Sequence, residues 1–294
     1  MGVAALSGPV DPDRLARGLG ALEALGFEPV LAANLDLTTE DGLHAGSDAE
    51  RLEAFHALAA EPDLPAIVFA RGGHGVLRLL PGIDWDLLAR RPRAYVGYSD
   101  LTPFLLEVVR RLGLASFHGP MVAADWARGL SPEESESFLD SLAGRFPREV
   151  ALVEGRGEPV EGRLLGGCLS MLVATLGTPY APDLTDAILF VEEVNEPRYR
   201  LDRMLTQWVL SHKLEGIRGM LIGHVTGEAC ADLAADLPGW IDRALAVGGR
   251  ASAGPPGSLG WGLPVGHQAP NQTLPLGLPA RFDPEPGRLV VGRP

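Results

Sequence analysis

Four stretches of the sequence hold side chains and backbone suited to chemistry at an acyl carbon. In Gly97-Tyr98-Ser99-Asp100 a serine follows an apolar run and precedes a helical pattern over 101–112. A serine at such a strand-to-helix junction is either a nucleophile, lifted above a sheet by a tight turn, or an N-cap. The nucleophile pattern asks for a small residue two positions on, where this chain has Leu101. Arg71-Gly72-Gly73-His74-Gly75 sets three glycines within four residues after another apolar run. Such a loop either presents backbone N–H groups to a ligand, as an oxyanion hole requires, or is a plain tight turn. It does not match a dinucleotide fingerprint. Ile188-Leu189-Phe190-Val191 runs into Glu192-Glu193. A carboxylate buried at a strand end costs several kcal/mol unless it finds a hydrogen-bond partner, and a histidine held in one orientation would be one. Two surface acids at a strand end are the alternative. His267 lies in a loop, 262–271, whose backbone is restrained by Pro264 and Pro270 and opened by Gly262 and Gly266. A rigid loop of that kind holds one imidazole at fixed geometry, as general-base catalysis needs.

Other chemistries fit less well. His44 and His56 fall in or beside surface helices, and His212 ends a helix, where the dipole favours a cation. His118 and His224 end apolar segments as core imidazoles would. No histidine pair has His-Glu-x-x-His spacing, so no metal and no cofactor are expected. Cys168 and Cys230 form no Cys-x-x-Cys pair and read as small core residues of a reducing compartment. Lys213 is the only lysine. It follows a helix in a polar stretch unsuited to a Schiff base, and no Walker loop exists to use it.

The elements that must carry these groups follow from pattern. At roughly 150 residues per domain, 294 residues suggest two. A composition that is 46% hydrophobic and 21% charged is that of an ordinary globular chain. The formal net charge of −13 argues against a surface built for nucleic acid or anionic lipid. With no basic leader at the N-terminus and no run of about 18 apolar residues, the expected location is cytoplasmic and no membrane partner is expected. Residues 3–6, 29–33, 65–70 and 93–98 read as strands. Helices are expected from Pro12 to about Leu25, from Ser47 to about Ala60 and over 101–112. Apolar strands alternating with helices indicate a parallel α/β sheet, whose functional loops leave the carboxyl ends of the strands. Ser7-Gly8, the 72–75 loop and Ser99-Asp100 all fall there. Between 128 and 161 the composition turns polar and acidic, which places a domain boundary near 145/146. Beyond it a helix is expected over 166–176, a strand over 187–191, a helix over 200–212 and a strand over 218–224.

Taken in order, these segments resemble the LD-carboxypeptidase family of serine peptidases, the S66 group, which includes murein tetrapeptide carboxypeptidases and microcin C7 self-immunity proteins. The resemblance also rests on Ala45-Gly46-Ser47, Arg78-Leu79-Leu80, His118-Gly119-Pro120 and Gly162-Arg163-Leu164-Leu165-Gly166-Gly167. It continues through Tyr199-Arg200-Leu201-Asp202-Arg203 and Asn271-Gln272-Thr273-Leu274-Pro275-Leu276-Gly277. It implies a triad with Ser99 as nucleophile, Glu192 as orienting acid and His267 as base. It also implies an oxyanion hole from the backbone N–H of Asp100 and of Gly73, with Gly72 as the alternative donor. The implied fold is an N-terminal α/β domain (1–145) resembling class I glutamine amidotransferases, followed by a smaller β-rich C-terminal domain (146–294), in a homodimer. The implied activity is cleavage of the amide between an L-centre and a C-terminal D-amino acid in muropeptides, in peptidoglycan recycling. The alternatives are an immunity-type peptidase acting on an aminoacyl-nucleotide, a ligand-binding module without catalysis, and a metallohydrolase. Two residues depart from the family pattern: His74 replaces the usual tyrosine, and Leu6 replaces the proline common before Ser7. Arg71, Arg163, Arg200 and Arg203 are the candidate anchors for a substrate carboxylate, because a guanidinium fork matches that group.

Overall fold

The computed structural model describes residues 1–227, 239, 241–244, 246 and 257–292. The chain divides into two compact units. One is Met1–Gly144 with Gln272–Leu274; the other is Arg145–Asn271 with Pro275–Pro294. The second unit is as long as the first, not smaller as the family resemblance implied, because it builds a sheet of eight strands against the first unit's six.

In the first unit β1 (Gly2–Ala4), β2 (Val30–Leu31), β3 (Ala66–Phe69), β4 (Ala94–Gly97) and β5 (Ser116–His118) alternate with helices and pair in parallel in the order β5-β4-β3-β1-β2. A short strand at Leu274–Leu276 extends the β5 side. The helices start where the local chemistry lets them. Asp11 accepts the Arg14 N–H at 2.8 Å to open α1 (Pro12–Ala24), with proline at its start. Ser47 and Glu50 form a reciprocal capping box for α2 (Asp48–Ala60). After α3 (Val76–Leu79) and α4 (Trp85–Arg90), α5 (Thr102–Leu112) leaves β4 and ends at Gly113. Phe104 of α5 sets its ring edge-on to Phe55, Phe69 and Tyr95, with centroids 5.3–5.5 Å away. Each such pair adds about 0.5–1.5 kcal/mol beyond its buried area, so α5 and the turn before it are anchored to the sheet. The chain leaves β1 for β2 on one side and returns to β3 on the other. That reversal is where doubly wound sheets bind ligands, above the carboxyl ends of the strands. The unit closes with α6 (Pro132–Leu142), opened by a second capping box from Ser131 and Glu134.

The second unit contains β6 (Arg148–Ala151), β7 (Glu154–Gly157), β8 (Val160–Cys168), α7 (Leu169–Ala174), β9 (Ala187–Val194), α8 (Arg198–Leu210), β10 (Gly219–Thr226) and β11 (Ser258–Trp261), then, after β12 (the Leu274–Leu276 strand of the six-stranded sheet), β13 (Pro279–Asp283) and β14 (Arg288–Val291). Its sheet runs β6-β14-β13-β8-β9-β10-β11-β7, with a parallel centre from β8 to β11 and antiparallel flanks. The helix expected over 166–176 is confined to Leu169–Ala174, and residues 166–168 belong to β8. Gly166 takes φ +154°, and a Cβ there would sit 2.1 Å from the Phe190 carbonyl oxygen. Gly166 lets β8 lie flush on β9, which outweighs the apolar helical pattern. Cys230 lies outside the described residues. Among the described residues no helix is long and apolar enough to cross a membrane.

Candidate active site

Ser99 follows β4 in a backbone conformation that only a built turn imposes on a non-glycine residue, φ +62°. Left-handed geometry costs an L-residue about 1–2 kcal/mol, and its occurrence at a serine beyond a buried parallel strand is the geometry of a nucleophile turn. The N-cap alternative is not realised. Tyr98 and Leu101 occupy the cap positions of the 3₁₀ turn Ser99–Leu101 and of α5, and neither end has a side-chain cap. The glycine loop after β3 lies directly on this serine. A Cβ on Gly72 would stand 2.9 Å from both Cβ and Oγ of Ser99, and 3.6 Å from the Asp100 nitrogen. Gly73, at φ +132°, packs instead on Gly8.

The acid and the imidazole meet in the second unit. Glu192, near the end of β9, is fully buried, and its Oε2 lies 2.7 Å from Nδ1 of His267, 75 residues further along the chain. Its Oε1 is buried with no hydrogen-bond partner among the described residues, so His267 is the donor that offsets burial of this carboxylate. An Nδ1–H given to the carboxylate makes Nε2 the basic nitrogen of the neutral ring. The loop holding His267 is laid along β10. Leu263 N–H donates to the Ile222 carbonyl at 3.1 Å, His224 N–H to the Val265 carbonyl at 2.9 Å, and Gly266 N–H to Oδ1 of buried Asn271 at 3.0 Å. Asn271, the first residue of the motif 271–277 but assigned no role from sequence, thus fixes the loop through its side chain, and its place at the far end of the same Gly/Pro loop is a second signal for it.

Gly266 takes φ +122°, and a Cβ there would come within 2.9 Å of Glu192 Oε2 and 3.0 Å of its Cβ. Gly266→Ala therefore forces the carboxylate or the loop aside. The expected loss is about 100-fold in kcat, the size associated with an ångström-scale misplacement. Steady-state kinetics on the purified variant measure it, and wild-type kcat would show that the close approach is dispensable.

Comparison with known proteins identifies the family. Residues 1–119 match the family model for the LD-carboxypeptidase N-terminal domain, and residues 161–282 match that for the LD-carboxypeptidase C-terminal domain. A probable murein peptide carboxypeptidase of Bacillus subtilis is 32% identical over 99% of this chain and 91% of its own length. The chain belongs to the LD-carboxypeptidase family, S66. It is a serine-type carboxypeptidase. The murein tetrapeptide carboxypeptidase of Pseudomonas aeruginosa shares 35% identity over 79% of this chain and 77% of its own. The crystal structure of the Oxalobacter formigenes muramoyltetrapeptide carboxypeptidase superposes with a TM-score of 0.84 at 32% identity, covering 99% of this chain and 98% of that one.

In this LD-carboxypeptidase the neighbouring acid, Glu193, is also buried but turns elsewhere. It accepts N–H groups from Ser170 at 2.7 Å and Val194 at 2.9 Å, with the Cys168 sulfur 3.6 Å from each oxygen. Both glutamates are therefore interior, and the surface-acid alternative is not realised. Burial, followed by the charges of Glu192 and Glu193, pushes the Cys168 thiol well above its ordinary range. That keeps it protonated and a poor nucleophile. The candidate arginines are held in different ways. Arg71 donates to the carbonyls of Gly72 and Pro9, Arg200 pairs with Glu196, Arg203 lies over the Tyr199 ring, and Arg163 is exposed on β8. His56 accepts the Asp84 N–H, His118 is buried against Tyr98, and His212 pairs with Glu215. Among the described residues no group of three or more His, Cys, Asp or Glu gathers as a metal site would need.

Proposed function

We propose that the chain hydrolyses the amide between an L-centre and a C-terminal D-amino acid in muropeptides, as a cytoplasmic homodimer serving peptidoglycan recycling. In this reading the Ser99 oxygen attacks the scissile carbonyl while its proton passes to Nε2 of His267. Glu192 holds the imidazole in the correct tautomer and favours the imidazolium that forms. Collapse of the tetrahedral intermediate breaks the C–N bond, and the imidazolium returns the proton to the departing D-amino acid. Water, activated by the same imidazole, then hydrolyses the acyl-enzyme. The developing oxyanion is taken by the N–H groups of Asp100 and Gly73. The Gly72 carbonyl accepts the Gly8 N–H at 3.3 Å. In a trans peptide the Gly73 N–H then points away from Gly8, which favours it over Gly72 as the second donor. The reading requires the Ser99 hydroxyl to come within hydrogen-bond reach of Nε2 of His267.

The observation that carries this reading is the 2.7 Å contact between a fully buried Glu192 and Nδ1 of His267. The strained backbone of Ser99 supports it, and so does the likeness to proteins named as murein tetrapeptide carboxypeptidases. The parallel order of the first unit's sheet fits the likening to class I glutamine amidotransferases. The test is release of free D-alanine from a muramyl tetrapeptide, run beside its L-alanine-terminated isomer and an aminoacyl-nucleotide. The D-ended tetrapeptide is expected to be preferred at least about tenfold in kcat/KM over either. Faster turnover of the aminoacyl-nucleotide would replace this reading with the immunity-type one, and no turnover of any of the three would remove it.

A further inference from the structure

Asp100 enters the reading above only through its backbone N–H, yet its side chain joins all three loops that leave β1, β3 and β4. Asp100 is almost fully buried, and its Oδ2 accepts the Ser7 hydroxyl at 2.7 Å and the Val76 N–H at 3.0 Å. Ser7 belongs to the loop after β1, and Val76 begins α3 immediately after Gly75 of the glycine loop. Asp100 itself follows the nucleophile. Ser7 is fully buried and is fixed at its other polar groups as well. Its carbonyl accepts the Ala45 N–H at 3.0 Å. The carbonyl before it, on Leu6, takes Nη1 of the fully buried Arg51 at 2.6 Å, and the next N–H, on Gly8, donates to Gly72. A hydroxyl this deep, pinned as a donor, is not placed to react.

We propose that the Asp100 carboxylate and the Ser7 hydroxyl form a positioning pair that sets the glycine loop against the Ser99 turn, so that the two oxyanion donors keep a fixed separation and direction. The proposal rests on Ser99 being the nucleophile. Donors at an oxyanion hole act through preorganisation, because charge appears there only in the transition state. Loops from separate strands have no covalent reason to hold their spacing to within about 0.5 Å, which such a site needs. One carboxylate oxygen shared between two of the loops, carried by a residue of the third, supplies that restraint. Its loss therefore acts on kcat and spares KM, since substrate in the ground state makes little use of the oxyanion donors.

The test compares Ser7→Ala, Asp100→Asn, Asp100→Ala and the Ser7→Ala/Asp100→Ala double variant by kcat and KM on the muramyl tetrapeptide, with rates scaled to folded protein by thermal melts. Ser7→Ala is expected to lower kcat about tenfold and Asp100→Ala about 100-fold, with KM within about twofold of wild type. The double variant should be no slower than Asp100→Ala within about twofold, because both changes cut the same tie. Asp100→Asn should recover most of the loss, since an amide oxygen can accept both hydrogen bonds. A purely structural role would reduce the folded fraction without splitting kcat from KM. Wild-type kcat per folded molecule in Ser7→Ala overturns the proposal, as do independent, multiplying losses in the double variant. Should Asp100→Ala not fold, Ser7→Ala and Asp100→Asn decide by the same measurements. Ser99→Ala run alongside separates the two levels. An active Ser99→Ala removes the underlying reading, whereas an inactive one beside fully active Ser7→Ala removes the positioning pair alone.

Discussion

Ser99→Ala is expected to lower kcat for D-alanine release on the order of 10⁴- to 10⁶-fold, the range seen when a serine nucleophile is removed from a triad. KM should move little, because the hydroxyl does its work in the bond-making step. The protein should melt as wild type does. Alanine at φ +62° carries the same left-handed strain as serine, and no cap is lost, since neither the 3₁₀ turn nor α5 has a side-chain cap. A second substitution sharpens the test. Ser99→Gly is equally inactive, yet glycine adopts positive φ without penalty, so it should be more stable than Ser99→Ala by about 1 kcal/mol. An inactive, stabilised glycine variant is the signature of a side chain kept in a strained turn for its chemistry. An alanine variant within tenfold of wild type would take the nucleophile role from Ser99.

The first unit's architecture is legible in the sequence because its strands are covered on both faces. Ala66-Ile67-Val68-Phe69 is buried throughout, and so is nearly all of Ala94-Tyr95-Val96-Gly97, and such strands read as unbroken apolar runs between helical patterns. The flanks of the second sheet are not legible. Arg148–Ala151 and Glu154–Gly157 are largely polar antiparallel strands with few buried side chains, and nothing local distinguishes them from loops. The β8 end misleads for a different reason. Gly166 is there for close contact with the Phe190 backbone, a tertiary requirement absent from any helical or strand period. At the site, residue types point to Ser99, the glutamate pair and His267 as candidates, and the family resemblance assigns roles to each. What residue types alone do not give is the partnering of side chains distant along the chain. The choice of Glu192 over Glu193 as the partner of His267 rests on the family resemblance, and nothing local points to Ser7 reaching Asp100 across 93 residues, because the sheets bring together strand ends whose sequences carry no mark of each other.

Glu192 and Glu193 adjoin, are both interior, and should nonetheless respond in opposite ways to the same change. Successive residues of a strand point to opposite faces. Glu192 turns to His267, while Glu193 turns to the start of α7 and the Cys168 sulfur. Glu192→Gln preserves shape, but it either presents an NH₂ that reverses the imidazole tautomer or accepts from Nδ1 without a charge to favour the imidazolium. The expected loss is about 10³- to 10⁴-fold in kcat with KM little changed. Glu193→Gln keeps one oxygen where the carboxylate uses two, so it accepts either the Ser170 or the Val194 N–H and turns its NH₂ toward the other. Since neither contact involves His267, activity should stay within about threefold. Its effect belongs to stability. Burial, and secondarily the charge of Glu192, hold the Glu193 carboxyl above its ordinary value of 4.5. An acid raised in this way binds its proton more tightly in the folded state than in the unfolded one. The stability tied to that proton is full below 4.5 and is lost as pH rises through the folded value. The glutamine variant has no such proton to lose. Its melting temperature relative to wild type should therefore be more favourable at pH 8 than at pH 4. Kinetics of both variants, with melts at the two pH values, read the outcome. Equal losses of kcat in the two would mean that the pair acts as one carboxylate cluster, and that Glu192 has no separate task of orienting His267.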